Sequence, residues 1–198
     1  MCCIRPRASG DRDERGFEGG LTGHISCSCV LVAVVLTKIA PDQNNPLNAV
    51  EQMAADHSWP FEHAGEDEIA LIVDGRCTNY QISFTWMHEI EALHLACAFD
   101  IKVPETRISD VRQLIALINE DLWIGHFDLW TKSGMIMFRY ALVLAGGSEA
   151  SVRQCEAVLG AALDSSERYF PAFQFVVWAG KSAREAMDSA MLETSGRA

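Results

Sequence analysis

The sequence is short of basic residues. Its 16 Lys and Arg stand against 27 Asp and Glu, for a formal net charge of −11 at pH 7. A phosphate backbone is held by a basic surface, so this balance argues against nucleic acid as a partner. It argues equally against anionic membrane surfaces. A basic protein is the partner that the charge favours, beyond its plain contribution to solubility.

Long apolar runs are also missing. The nearest approach is residues 25–40, ISCSCVLVAVVLTKIA. This run is shorter than the roughly 20 residues of a membrane-crossing helix, and Ser26, Ser28, Thr37 and Lys38 interrupt it. It lies behind a mixed-charge stretch, and TKIAPDQ is a poor cleavage site for a secretory signal. No stable membrane insertion is expected. No P-loop, G-x-G-x-x-G fingerprint or G-x-S-x-G elbow occurs, which removes the common nucleotide and hydrolase signatures.

Cysteine is present but not in metal-site spacing. The seven cysteines include an adjacent pair, Cys2-Cys3, and a C-x-C pair, Cys27 and Cys29, but no C-x₂₋₄-C. An odd total without a secretory signal reads as free thiols in a reducing cytoplasm. MHEIEALH holds His88, Glu89 and His94, yet the zincin pattern H-E-x-x-H needs its second histidine two residues earlier. No metal and no cofactor are expected.

What is there is a globular core. The chain has 198 residues, 49% of them hydrophobic, enough for one domain plus a tail. Residues 1–44 balance five basic side chains against five acidic ones, so the remainder carries the whole −11. The first 24 are rich in Gly, Arg and Asp without apolar period. Residues 1–44 therefore read as a disordered extension or as sequence upstream of the true translation start. The domain is expected at 45–194.

In that domain the apolar spacing alternates between helical and extended periods. Asn45 and Pro46 suit a helix start, and Leu47, Val50, Met53 and Ala54 share a face. WPFEHAGED breaks the helix. EIALIVDG, NYQISFTW and ALHLACAF alternate as three strands of an antiparallel meander, with one polar face that implies helices on one side only. VPETRISDVRQLIALINEDLWIG keeps a helical period, with Gly125 as its cap. HFDLW and MIMFRYALVL follow as strands. Ser151 to Gln154 and Ser182 to Glu185 are capping boxes opening the last helices, and Pro171 is expected to kink or restart the first of them. The order is α-βββ-α-ββ-α plus a C-terminal helix, an α+β fold with an antiparallel sheet.

Two features bear on function. His126, Asp128 and Trp130 alternate in one strand and so share a face. A His-Asp pair serves general-base catalysis, but no nucleophile accompanies it, which favours a polar strand face over an active site. Of the five tryptophans, most read as core and Trp130 as an interface residue.

NPLNAVEQMAADHSWPFEHAGEDEIALIVDGRCTNYQISFTW, EALHLACAFDIKVPE, ALINEDLWIGHFDLW and YFPAFQFVVWAGKSAREAM resemble the YbjN-like family of bacterial sensory transduction regulators. The resemblance covers about residues 45–194 and rests on strings, not on a catalytic motif. It implies a fold similar to type III secretion chaperones, small dimeric α+β proteins that bind extended segments of partners. It implies no catalytic residues. The expectation is a non-enzymatic regulatory or chaperone-like protein-binding domain, cytoplasmic and homodimeric, with His94, His126, Asp128 and Trp130 as candidate protein-binding residues. The alternative is a small-ligand protein or enzyme using His126 and Asp128, with His94 beside them.

Overall fold

The computed structural model describes residues 45–195; the readings made for residues 1–44, the paired cysteines there included, lie outside it. Helix α1, Leu47–Asp56, opens where Asn45 Oδ1 accepts the Leu47 N–H at 3.0 Å. It buries Leu47, Val50, Met53 and Ala54, the four residues of its apolar stripe.

The next segment departs from the sequence reading. WPFEHAGED is more than a break: Phe61–His63 forms a short strand, β1. It pairs antiparallel with β2, Glu68–Asp74, setting Glu62 opposite Ala70. Strands β3, Asn79–Met87, and β4, Ala92–Lys102, complete the meander. Helix α2, Ile108–Asp121, leads to β5, His126–Trp130, and β6, Met135–Val143. The sheet order is β1-β2-β3-β4-β6-β5, with every pair antiparallel. The six strands and four helices form an α+β fold.

Two further expectations are corrected. Gly125 does not cap α2, which ends at Asp121 with Leu122 already extended. Gly125 turns the chain into β5 instead, with φ +69° and no room for a Cβ beside the Phe138 ring. Pro171 does not restart its helix: α3 runs without interruption from Val152 to Val177. Both capping boxes form, at Ser151 with Gln154 and at Ser182 with Glu185 opening α4, Ala183–Ser195.

The helices pack on one side of the sheet. There Ile69, Leu71, Tyr80, Ile82, Phe84, Leu95, Phe127 and Phe138 are buried against them. Phe99 sits among the rings of Phe127, Phe170 and Phe173, at 5.3–6.3 Å between centroids within the group. Each fully buried ring contributes roughly 1.5–3 kcal/mol by apolar transfer. Among the described residues, no helix covers the opposite face.

Candidate functional site

Register assigns the open face residue by residue, since partners across an antiparallel ladder point to the same side. One row crosses the sheet as Glu62, Ala70, Ser83, Ala96, Arg139 and His126. The neighbouring row runs Ile72, Gln81, Ala98, Met137 and Asp128. Small side chains occupy the middle of both rows. They floor a groove of about 580 Å³, bounded by Phe61, Glu62 and Ile72 at one end and by Trp130, Met135 and Met137 at the other. Crossing six strands at about 4.8 Å spacing makes the groove about 24 Å long, the reach of roughly seven extended residues.

The four candidate residues all lie on this face, but in two settings. Trp130 lines the groove and is 53% exposed. His94, His126 and Asp128 lie outside the groove lining, around Arg139. The Arg139 guanidinium donates through Nη1 to Asp128 Oδ2 at 3.0 Å and through Nε to His94 Nε2 at 3.2 Å. His126 stands opposite Arg139 in the ladder. Burial, then the Arg139 cation, then His126 hold the His94 pKa below its usual value. The bond from Arg139 Nε uses His94 Nε2 as an acceptor, a role that a protonated ring cannot fill.

Asn119 and Asp128 close the β5 edge. The N–H and C=O of Phe127 point away from β6, where Asn119 accepts from one at 2.8 Å and donates to the other at 3.1 Å. The next outward N–H, that of Leu129, donates to Asp128 Oδ1 at 2.8 Å. Asp128 therefore closes the strand edge with one oxygen and holds Arg139 with the other. No direct His126–Asp128 contact forms, so the pair lacks the geometry of a general base and its orienting acid.

The metal-like string resolves into separate contacts. His88 pairs with Asp67 at 2.8 Å, while His94 sits in β4 opposite Thr85 and accepts from Arg139. No three His, Cys, Asp or Glu side chains cluster as metal ligands among the described residues. No described helix is long and apolar enough to cross a membrane.

Most of the tryptophans are not core. Trp123 is 99% exposed and Trp178 63%, while Trp59 and Trp86 are half-buried. Sequence reasoning also passed over Arg139 and the small residues of the groove floor. Arg139 carried a signal: it alternates with Met137 in MIMFRYALV, on the outward side. The floor carried none, because alanine suits either face of a strand.

The model of the YbjN family, described as "Putative bacterial sensory transduction regulator", matches residues 46–175. A search of curated proteins found no match. Similar solved structures include one titled the ExsC–ExsE complex, at 16% identity over 65% of this chain and 93% of that one, with a TM-score of 0.45. Another is titled the HopA1–SchA chaperone–effector complex, at 15% identity over 60% and 87%, with a TM-score of 0.43. A third is titled "Crystal structure of YbjN, a putative transcription regulator from E. coli", at 10% identity over 60% of this chain and 84% of that one, with a TM-score of 0.45.

Proposed function

The chain belongs to the YbjN family, and from that footing we propose that it is a non-enzymatic, protein-binding regulatory domain that receives a segment of a partner on its open sheet face. The observation that carries this reading is the groove floored by Ala70, Ser83, Ala96 and Ala98, on the face that no described helix covers. Contiguous apolar surface of this kind marks interaction sites. Trp130 is the aromatic anchor at its wall. His94, His126 and Asp128 act at its border through Arg139, which fixes the position of β5 and hence of Trp130. The reading of His126 and Asp128 as catalytic is weaker, because the groove does not join them.

The domain acts in the cytoplasm, in line with its cysteine usage. It forms homodimers through the other end of the same face, where Met87 and Val143, in register through Ala92, are exposed. Affinity capture from native lysate, with the wild type beside Ala98→Arg, tests the docking face. A reproducible partner lost in the variant supports it. No reproducible partner, or one unaffected by the arginine, contradicts it.

A further inference from the structure

The two edges of the sheet are treated differently by the chain. At β5 both outward N–H groups are closed by side chains, Phe127 by Asn119 and Leu129 by Asp128. At β1 the ladder alternates the other way. The Ala64 N–H bonds to the Glu68 C=O at 3.0 Å, so residues 62 and 64 face β2. The N–H and C=O of Phe61 and His63 consequently turn outward. No described side chain closes them. An unpaired edge is a template for another strand.

The surroundings of that edge have one sign of charge. FEHAGEDE, residues 61–68, holds Glu62, Glu66, Asp67 and Glu68. Asp67 pairs with His88, but among the described residues no ion pair engages Glu62, Glu66 or Glu68. Glu62 and Glu68 also stand at the mouth of the groove, beside Phe61 and Ile72. A second copy pairing antiparallel through Phe61 and His63 would set Glu62 directly against its own counterpart, and like charges opposite one another are unfavourable. The edge thus discourages itself and suits a cation.

We propose that a partner adds a strand to β1, and that this strand is basic on the side of the open face and apolar on the alternate side. This rests on the docking-face reading for its protein partner and goes beyond it in place: an extended segment of alternating Lys or Arg and β-branched residues runs along β1 at the mouth of the groove, its cations against Glu62 and Glu68. The strand is short, so the outward groups of two residues give register and the carboxylates give selectivity.

The probe is a fluorescent eight-residue peptide alternating Lys and Val, with its Glu-Val counterpart as control, added to the full chain. Anisotropy should show binding of the Lys-Val peptide only. Affinity should fall about tenfold in Glu62→Lys with Glu68→Lys. It should fall severalfold in His63→Pro, which deletes an outward N–H without touching the β2 ladder. His63→Val, which keeps the N–H, should bind like the wild type. Hydrogen exchange on the wild-type chain should show the Phe61 and His63 amides slowed by the peptide. Equal binding of both peptides overturns the proposal. So does protection at β5 instead, or slow exchange at His63 before peptide is added, which would mean that a second copy or the chain's own residues already hold the edge. A partner captured on the wild-type face with the Phe61 and His63 amides unchanged leaves the docking face standing and removes strand addition.

Discussion

Asn119 bonds both backbone groups of Phe127, eight residues on: its Oδ1 accepts the N–H at 2.8 Å and its Nδ2 donates to the C=O at 3.1 Å. A side chain from α2 thereby takes the place of a neighbouring strand. The contact ties helix to sheet and leaves β5 closed to further pairing.

Asn119→Ala is expected to lose about 1–3 kcal/mol of stability, the cost of stranding two part-buried backbone groups. It should also raise self-association, since β5 becomes a second open edge. Chemical denaturation and sedimentation measure the two effects. Asn119→Asp keeps the acceptor and loses the donor, so it should fall between.

His94 links stability to pH. Its pKa is lowered in the fold, by burial first and by Arg139 second. The unfolded chain takes up the proton from about pH 6.5 downward, while the folded one resists. The contribution of His94 is therefore complete above about pH 6.5 and declines as pH drops below it. Thermal unfolding at about pH 7.5 and 5.5 should show a larger loss for the wild type than for His94→Gln, which accepts from Arg139 without titrating.

The thiols should separate by burial. Cys97 is pushed up to about 12 and Cys155 to about 11, chiefly by burial, whereas Cys77 is exposed. Only the thiolate is nucleophilic. Alkylation near neutral pH followed by peptide mapping should modify Cys77 in the folded protein, and Cys97 and Cys155 only after denaturation.

Gly125→Ala should cost about 2–4 kcal/mol, combining a positive-φ penalty with overpacking against Phe138. Equilibrium unfolding of the variant checks it. A value near zero would mean that Phe138 moves aside easily.

Where residue period alone decides orientation, the fold was legible. Tyr80, Ile82 and Phe84 go inward and Gln81 and Ser83 outward, because a strand alternates strictly. Strand β1 was not legible: three residues between Pro60 and an acidic turn carry no period. Trp123 falls within the stretch up to Gly125 that the apolar period assigns to a helix, whereas the helix stops at Asp121 and leaves the ring exposed. The face shared by His126, Asp128 and Trp130 could be read from spacing. The role of the first two could not, since Arg139 reaches Asp128 across 11 residues and His94 across 45. Only the register of β4, β6 and β5 brings them together. The sequence therefore offered a catalytic-looking pair, whereas in the fold Asp128 closes the edge of β5 and His126 only stands opposite Arg139.

On the reading proposed above, the open face of the sheet is the docking surface. Photo-crosslinking inside cells tests it most directly, with the crosslinking residue placed at Ala98 on the groove floor or at Ala116 on the exposed side of α2. The expected result is a discrete protein adduct from position 98 and none from position 116. Adducts from 116 alone, or from neither position, would contradict it.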